Sequence, residues 1–367
     1  GDLLIVGNAT GGRGAPRSPG AIYLLRDANG DGKAETVRKL AEASGSGIAL
    51  ANGYLYSSSG LSIVRYAYRA GQTTLGAPDT IVTDFATGGH SAYNFVIAGG
   101  TLYMNVGSRS NACEPGSRAA QTPGVDPCVE LETRAGIWAF DANRKGQKPA
   151  DGTRFATGIR NSVALTVNPA DQTLWVTMHG RDGLQPPPAG LWPGHDDRYG
   201  AENPGEQVNH VLKGDDFGWP YCYWSMDEKK LVTAPEYGGD GKKADRCAGK
   251  KNPVYAFPGH WAPNDMMFYT GSQFPAEYRS GAFVAFHGSW NRAPLAQQGY
   301  RVAFLPLQGD RAGTHRDFAT GFSKDGMPGT DGRIHRPTGL AQGTDGSLYV
   351  SDDVAGTIYK VSYRGNR

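Results

Sequence analysis

Three basic side chains occupy matching places ahead of a recurring strand. A short segment built around a Leu–aromatic pair occurs four times, at residues 52–57, 100–105, 172–177 and 346–351. His90, Arg160 and Arg336 lie 12, 14 and 12 residues before the leucine of the last three copies. An imidazole accepts a proton near neutral pH, and guanidinium groups bind carboxylates and oxyanions. This shared register predicts a site for a small anion, whereas a lone histidine at a strand entry is also typical of a structural role.

The composition predicts strands and turns. Fifty-three glycines and 23 prolines interrupt alternating apolar segments. No apolar run reaches the roughly 18–20 residues that a membrane-spanning helix needs. The net charge is +2 and the charged residues are scattered, which is not typical of a nucleic-acid-binding surface. We therefore expect no nucleic-acid partner and no membrane span.

A second repeat predicts the architecture. Six short segments with apolar residues at alternate positions suit the outer edge strands of small antiparallel sheets. They are residues 21–26, 63–68, 136–140, 207–212, 300–306 and 357–363. Six such units without intervening helices predict an all-β fold, a six-bladed β-propeller with long inserted loops, as a single domain over residues 1–367. Asp2–Gly7 is expected to be a second strand, with the innermost strand of its blade supplied by residues before Gly1 or by the other end of the chain.

This topology predicts where the basic residues meet. The first strand of a blade lines the channel and the second returns antiparallel, so first-strand starts and second-strand ends share a face. The second-strand ends are expected at residues 107–109, 178–181, 287–292 and 351–353. They should surround one funnel with the three basic residues, flanked by Trp219, Trp261 and Trp290. Such a rim suits a flat anionic ligand and a sugar.

The four cysteines form two local groups, Cys113 with Cys128 and Cys222 with Cys247. An even count in short loops favours two disulfides and an oxidising compartment. The alternative is a zinc site, but no CxxC pair or histidine cluster accompanies them. The chain starts at Gly1 without a methionine, which is typical of a mature or trimmed form. We expect a periplasmic or secreted protein.

Two other segments have candidate roles. Asp27, Asn29, Asp31 and Glu35 match the front half of a calcium loop, although the same residues are typical of a tight turn, which is the favoured interpretation. The long loop 185–204 is expected to shape a binding site. No GxSxG, Walker or dinucleotide motif occurs, which disfavours serine hydrolases and nucleotide-binding proteins.

With these residues in view, the chain resembles the soluble quinoprotein sugar dehydrogenases, and within them the L-sorbosone dehydrogenase-like branch. The matching segments span nearly the whole chain. They are Gly89–His90 with the LYMNVGS strand, Gly158–Asn161, Glu202–His210, the DFGWPYCYW segment from Asp216, HGSWNR from His287, and Arg336–Pro337. The resemblance implies a six-bladed propeller that binds pyrroloquinoline quinone (PQQ), a flat tricarboxylate, together with calcium.

The resemblance also implies residue roles. His90 would be the general base, and Arg160 would stabilise the charge that develops on the quinone oxygen. The cofactor-binding residues would be Arg160, Asn161, His179, His260, Arg292 and Arg336. The calcium would take backbone carbonyls of Gly180 and Arg181. The substrate would be a sugar or sugar aldehyde, and the electrons would pass to an external acceptor such as a cytochrome, a quinone or a dye.

The chain departs from the family pattern at two positions. Ser108 stands where better-known sugar dehydrogenases carry an acid that tunes the base, and Ile334 stands where they carry a second arginine beside Arg336. Two other functions remain as alternatives. A metal-dependent lactonase would need acidic and amide side chains at the strand entries, which are cationic here. A non-catalytic propeller that binds glycans or proteins is the other, because fold alone does not exclude it.

Overall fold

The computed structural model describes residues 1–7, 20–186, 190–192, 195–323 and 332–365. The chain divides into two compact units. Unit 1 comprises Gly1–Val106 and Ile137–Arg154, and unit 2 comprises Gly107–Gly136 and Phe155–Arg367. Almost all regular structure is antiparallel β-sheet. The division leaves the expectation of a single domain a prediction.

Three sheets account for most of the strands of unit 1. The first contains β1 (Asp2–Gly7), β2 (Ala21–Arg26) and β3 (Thr36–Glu42). The second contains β4 (Ile48–Ala51), β5 (Tyr54–Ser59), β6 (Ser62–Ala67) and β7 (Asp79–Val82). The third contains β8 (Phe95–Ala98), β9 (Thr101–Val106), β10 (Gly136–Asp141) and β11 (Thr153–Thr157), which continues past the end of the unit.

Unit 2 contains three larger sheets and a hairpin. The first sheet pairs β12 (Leu165–Val167), β13 (Leu174–Met178), β14 (Glu206–Val211) and β17 (Tyr255–Phe257), and a short helix α1 (Asp197–Glu202) precedes β14. The hairpin is β15 (Cys222–Ser225) with β16 (Lys230–Thr233). The second sheet contains β18 (Pro263–Phe268), β19 (Gly281–Phe286), β20 (Arg301–Gln308), β21 (Arg311–Ala312) and β22 (Arg316–Ala319). The third contains β23 (Pro337–Gln342), β24 (Leu348–Asp352) and β25 (Thr357–Val361).

The recurring Leu–aromatic segment is the second strand of a blade, and in the first two copies it follows a two-residue turn. Ala51 pairs with Tyr54, so Asn52 and Gly53 alone connect β4 to β5, with φ values of 53° and 77°. Two-residue hairpin turns need such positive φ values, which explains the Asn-Gly sequence. The leucine of each copy is buried in its sheet. A connecting turn and a buried leucine shortly after it therefore generate the repeat.

Within the described residues, six sheets have three or more strands, so the six-blade prediction is confirmed. All six predicted segments are strands, namely β2, β6, β10, β14, β20 and β25. Their assignment as outer edge strands is wrong in five blades, because β3, β7, β11, β17 and β22 pair outside them. The outermost strands lack the alternating apolar pattern because many of their side chains are exposed, as in β3. Polar edge strands discourage pairing with other chains.

Both predicted disulfides form, Cys113–Cys128 and Cys222–Cys247, and they exclude the zinc alternative for these cysteines. The first packs with Ala135 and Trp219 in a small apolar cluster of unit 2. In the part of the chain that the structure describes, no helix has the length and apolar character to cross a membrane.

Candidate functional site

The predicted site residues fall into both units. His90 lies in unit 1, half-buried in the loop that leads into β8, where Gly88 and Gly89 have φ values of 81° and 64°. Its role as the general base stays a prediction. The other predicted residues lie in unit 2. They are Arg160, Asn161, His179, Gly180, Arg181, His260, Arg292 and Arg336.

Arg160 is buried at the entrance to β12, and its charge is compensated internally. Its guanidinium donates to the backbone carbonyl of Asn111 (3.2 Å) and the Asn111 side-chain oxygen (3.0 Å). It also donates to the Gly180 carbonyl (2.8 Å) and the Asp182 carboxylate (3.2 Å). Burial lowers the pKa of Arg160, and the Asp182 carboxylate opposes that shift. An internal acid thus supplies the negative charge that the sequence argument assigned to an external anion.

Asp182 joins the surroundings of Arg160 to a distant loop. Its Oδ1 accepts from the Asn291 amide at 2.9 Å, while Oδ2 accepts from Arg160 and pairs with Arg118. The Asn111 amide also binds the backbone NH (2.9 Å) and carbonyl (3.0 Å) of Asp182, as a neighbouring strand would. Sequence reasoning missed Asp182. Its one signal was its place directly after the predicted strand end at residues 178–181.

Gly180 forms hydrogen bonds through both its backbone carbonyl and its backbone NH. Its carbonyl accepts from Arg160, and its NH donates to the Glu206 carboxyl at 3.1 Å. Burial of Glu206 raises its pKa to about 8. Calcium binds oxygen at about 2.3–2.6 Å. A cation that close to the Gly180 carbonyl would lie against the guanidinium, so this conformation does not fit the predicted calcium ligand.

Arg181 has a buried structural side chain. It forms an ion pair with Glu236, and the two side chains are 3% and 1% exposed. The guanidinium also donates to the Asp182 carbonyl at 3.2 and 3.1 Å. The indole NH of Trp192 donates to the other Glu236 oxygen at 3.0 Å. We name the set Asn111, Arg160, Arg181, Asp182, Glu236 and Asn291 the closed network.

Two predicted cofactor-binding histidines are held by backbone carbonyls. His179 Nε2 lies 2.9 Å from the Pro263 carbonyl, and burial lowers its pKa to about 4. His260 Nε2 lies 2.9 Å from the Gly200 carbonyl, and the Asn291 amide lies 3.2 Å from its Nδ1. Burial also lowers the pKa of His260. Both imidazoles are therefore neutral at pH 7 and donate through Nε2, and their contact with a cofactor stays a prediction.

Backbone hydrogen bonds fix the strand ends beside Arg160. The Ser108 NH donates to the Arg160 carbonyl at 2.7 Å, and the His179 NH donates to the Asn161 carbonyl at 2.9 Å. The Ser108 hydroxyl donates to the Ser110 carbonyl at 2.7 Å. Ser108, at the position where the family resemblance led us to expect an acid, thus binds its own loop. Asn161 is buried, and its role toward a cofactor stays a prediction.

Arg336 is half-buried, and part of its guanidinium is available to a ligand. Its Nε donates to the His287 carbonyl at 2.8 Å, and Nη2 donates to the Gly288 carbonyl at 2.6 Å. Its backbone NH donates to the Asp352 carboxylate at 3.0 Å. Among the described residues, no group bonds to Nη1. Two carbonyls thus hold the guanidinium in a fixed orientation while one edge can receive an anion.

Two histidine–acid pairs accompany Arg336. His335 Nδ1 lies 2.6 Å from Asp352 Oδ2, and His287 Nε2 lies 3.0 Å from Asp353 Oδ1. The second pair is the more exposed, with side chains 22% and 39% accessible. We name His287, His335, Arg336, Asp352 and Asp353 the rim cluster. Its members come from the ends of β19 and β24 and the start of β23, which sequence topology placed on one face.

Arg292 and Ile334 have structural surroundings. The buried Arg292 guanidinium donates to the carbonyls of Ala201 (2.9 Å), Gly259 (2.8 Å) and Ala296 (3.2 Å). It therefore joins the end of α1 to the HGSWNR loop, and its contact with a cofactor stays a prediction. Ile334, at the position where the family resemblance led us to expect a second arginine, is half-buried and packs on the apolar cluster that includes Phe322 and Val350.

The three tryptophans expected to flank the rim differ in exposure, and the expectation stays a prediction. Trp219 and Trp261 are each 4% exposed, whereas Trp290 is 70% exposed. The Trp219 indole NH donates to the Asn111 carbonyl at 2.9 Å, and Trp261 packs against Phe286. Sequence alone did not separate core indoles from a surface indole because all three lie in loops rich in polar residues.

Parts of the predicted binding loop, 187–189 and 193–194, lie outside the described residues. In the rest of the loop, Gln185 donates from its amide to the Asn291 carbonyl at 3.3 Å. Asp196 caps α1 by accepting from the Tyr199 NH at 2.6 Å. The role of the loop in substrate binding stays a prediction.

The Asp27 turn of unit 1 brings three carboxylates together. Those of Asp27, Asp31 and Glu35 lie within 4.8 Å of one another, the one such group of metal-capable side chains in the described ranges. Asp27 accepts from the NH groups of Gly30 (2.7 Å) and Gly32 (2.9 Å). The acids thus cap their own turn, which agrees with the turn interpretation. The group is not at the strand entries, where a lactonase would need it.

Residues 14–364 match the model of the TrAA12-like family. The chain belongs to this family. It is 27% identical over 281 residues to a pyrroloquinoline quinone-dependent pyranose dehydrogenase of Coprinopsis cinerea and 26% identical over 246 residues to an aldose sugar dehydrogenase of Escherichia coli. These alignments cover 64% and 66% of this chain. The predicted resemblance to PQQ-dependent sugar dehydrogenases is thereby confirmed.

The alignments cover only part of the relatives. They span 36% of the Coprinopsis protein, 48% of the Escherichia coli protein, and 57% of an uncharacterised Borreliella burgdorferi protein that is 29% identical over 266 residues. Among solved structures, the PQQ domain of pyranose dehydrogenase from Coprinopsis cinerea aligns with a TM-score of 0.73 at 23% identity, over 98% of this chain and 93% of that one. A calcium structure of a Trichoderma reesei family AA12 enzyme aligns with a TM-score of 0.72 at 20% identity, over 98% and 94% of the two chains. At these identities the likeness supports the fold.

Proposed function

We propose that this protein is a PQQ-dependent oxidoreductase that oxidises a sugar or a sugar aldehyde in the periplasm or outside the cell. The observation that carries the proposal is the Arg336 guanidinium, which two carbonyls orient while Nη1 has no partner among the described residues. Family membership and the name of the Coprinopsis relative, a PQQ-dependent pyranose dehydrogenase, support the same chemistry. The two disulfides suit an oxidising compartment.

The rim cluster fits a carboxylate of PQQ. Nη1 of Arg336 would bind one carboxylate oxygen, because charge-assisted hydrogen bonds from a fixed guanidinium are strong and directional. Arg160, Arg292 and the two buried histidines are already bonded within the protein. They would shape the walls of the site and set its charge. Bound PQQ would supply the two-electron acceptor for the substrate, and the electrons would leave to an external acceptor such as a cytochrome, a quinone or a dye.

His90 would accept the proton of the substrate hydroxyl at an imidazole nitrogen. A histidine suits this role because its ordinary pKa lies close to neutral pH. An aldose would yield a lactone, and a hydrated aldehyde such as sorbosone would yield an acid. Since Ser108 replaces the acid that tunes the base in related enzymes, His90 would work without that carboxylate.

No step of the proposed oxidation is assigned to calcium. The Gly180 carbonyl, one of the two predicted backbone ligands, accepts a hydrogen bond from the Arg160 guanidinium, and the carbonyl of Arg181 stays a predicted ligand. We therefore treat calcium dependence as a quantity to be measured. The calcium requirement of PQQ binding would show whether Arg160 can release the Gly180 carbonyl.

The test is a titration of the apoprotein with PQQ, with and without calcium, followed by dye reduction with a panel of aldoses and aldehydes. We expect saturable PQQ binding and sugar-dependent dye reduction. His90→Ala should retain PQQ and lose turnover, because the cofactor stays bound while the proton acceptor is absent. His210→Gln, on β14, is the matched control and should keep turnover.

Other outcomes of the PQQ titration and the dye-reduction assay would change the proposal in different ways. If PQQ does not bind under either condition, the proposal is wrong, and a glycan-binding or protein-binding propeller becomes the better interpretation. If PQQ binds and turnover survives in His90→Ala, the oxidoreductase assignment stands and the base lies elsewhere. Retained turnover in both histidine variants would direct the search for the base to the rim histidines.

A further inference from the structure

We propose that the indole of Trp290 is the stacking surface for the sugar ring of the substrate, an inference that rests on the proposed function. Trp290 is 70% exposed, whereas the other six tryptophans are buried or half-buried. An indole is a large apolar surface, and leaving it in water forgoes the free energy that burial provides. Because an indole combines a large apolar face with a polar NH, an exposed one beside a candidate site offers a surface that a partly apolar ligand could cover.

The chain on either side of Trp290 is firmly held. The Gly288 NH donates to the Trp261 carbonyl at 3.0 Å. Ser289 is 1% exposed, its NH donates to the Gln298 carbonyl at 2.8 Å, and its hydroxyl donates to Gln297 at 2.7 Å. Arg292 follows with its buried guanidinium. The exposed indole thus projects from an ordered loop, which lowers the entropy lost when a ligand binds.

The same loop connects both parts of the candidate site. The Gly288 carbonyl, two residues before Trp290, accepts from Arg336 Nη2 at 2.6 Å. The Asn291 amide, one residue after it, donates to Asp182 and lies 3.2 Å from His260 Nδ1. The backbone of Trp290 is therefore fixed between the rim cluster and the closed network. The loop that carries the indole is thus in direct contact with the Arg336 guanidinium through the Gly288 carbonyl.

A pyranose is the ligand class that matches this arrangement. One face of a pyranose presents C–H groups that pack on an aromatic plane, while its hydroxyls point outward to polar partners. The exposed His287–Asp353 pair supplies such partners at the rim. Stacking recognises the ring rather than a particular hydroxyl. We therefore expect Trp290 to raise the affinity for pyranoses in general and to discriminate weakly among them.

The first experiment needs no cofactor. Acrylamide quenching of tryptophan fluorescence in the apoprotein should report mainly Trp290, because it is the most exposed indole. D-glucose, D-xylose and cellobiose are added in turn, and at least one should reduce the quenching. Trp290→Phe should lose both the readily quenched component and the effect of the sugar. If none of the three sugars protects the indole, the inference is overturned.

The second experiment uses the PQQ-loaded protein and dye reduction. Trp290→Ala should raise the KM for the sugar about tenfold while kcat and the KM for the dye stay unchanged, because stacking contributes to substrate binding alone. Trp290→Phe should restore part of the affinity, since phenylalanine keeps an aromatic face. Tyr363→Ala removes another exposed aromatic and is the control.

The two experiments separate this inference from the proposed function. A rise in the KM for the dye instead of the sugar would assign Trp290 to acceptor docking and overturn the inference. Protection of the indole by a sugar in a protein that neither binds PQQ nor turns over would reject the dehydrogenase proposal. In that case the stacking surface would stand as a glycan-binding feature.

Discussion

The closed network and the rim cluster both place charged side chains at strand ends, yet they differ in how those charges are satisfied. In the closed network, Arg160 and Arg181 are buried and paired with Asp182 and Glu236. In the rim cluster, Arg336 is half-buried and held by carbonyls rather than by an acid. A charge neutralised inside the protein orders its surroundings, whereas a charge that is only oriented remains available to a ligand. Equal register in the sequence therefore does not mean equal function.

The largest effect should follow from opening the closed network at Glu236. Glu236→Gln leaves the Arg181 guanidinium buried without an anion, which typically costs about 3–5 kcal/mol of unfolding free energy. Urea denaturation measures the loss. Glu277→Gln is the matched control, because Glu277 pairs with Arg316 at the surface, where both side chains are about half exposed, and should cost less than about 1 kcal/mol. Equal losses in the two variants would contradict the comparison.

A smaller loss is expected at Asp182. Asp182→Asn keeps the shape of the side chain but removes the charge that faces Arg160 and Arg118, and hydrogen bonds to charged groups contribute about 1.5–3 kcal/mol. The midpoint of urea denaturation should fall accordingly. Asp317→Asn, which breaks the more exposed pair with Arg301, should change the free energy of unfolding by under about 1 kcal/mol. If Asp182→Asn is neutral, Asp182 does not organise the closed network.

Arg336 should matter to the cofactor more than to stability. Arg336→Gln is expected to weaken PQQ binding about tenfold, or about 1.4 kcal/mol, and to change the unfolding free energy by under about 1 kcal/mol because no buried acid is left unpaired. Calorimetric PQQ titration and urea denaturation check the two parts. Arg311→Gln, an exposed arginine on β21, should leave both values unchanged. A large loss of stability with unchanged PQQ affinity would show that Arg336 belongs with the closed network.

The smallest effect should be the contribution of Asp352 in the rim cluster to the free energy of unfolding, and this contribution should depend on pH. Burial opposes the ionisation of Asp352, but hydrogen bonds from the Arg336 NH and His335 lower its pKa overall. A lowered folded-state pKa means that the carboxylate stabilises the native state above its unfolded pKa of about 3.9 and loses that contribution as pH falls through the folded value. Asp352→Asn should therefore be less stable than the native chain at pH 6, and the difference should shrink towards pH 3.

Unfolding free energies at pH 6, 4 and 3 check this dependence. A constant difference over the whole range would mean that Asp352 contributes through the shape of its hydrogen bonds and not through its charge. Asp353→Asn tests the more exposed acid of the rim cluster and should have a smaller effect at every pH, because its side chain is 39% exposed.

Sequence reasoning predicted the blades because their signals are local. The two-residue turn at Asn52 and Gly53 and the buried leucine of the next strand lie within a few residues of each other. The same locality put Arg336 and residues 351–353 on one face, which the structure confirms. The outermost strands were missed, since the exposed side chains of β3 leave no apolar period.

The closed network was not predictable in this way, because its contacts join residues far apart in the chain. Asn111 binds a residue 71 positions away, and Asn291 binds one 109 positions away. Hydrogen bonds of this kind leave no spacing pattern in a single sequence. The solvent exposure of the tryptophans was not predictable either. Trp219, Trp261 and Trp290 occupy similar loops, and tertiary packing alone decides which indole is exposed to solvent.

The three carbonyls bound by Arg292 also have a consequence for the order of folding. The guanidinium joins its loop to Ala201, 91 residues earlier, and to Gly259, 33 residues earlier. Contacts that close such long stretches of chain form slowly, whereas the two-residue hairpins close quickly. The sheets should therefore acquire protection from hydrogen exchange before the HGSWNR loop does during refolding. The surface that carries Trp290 would be among the last parts of the molecule to reach its native structure during refolding.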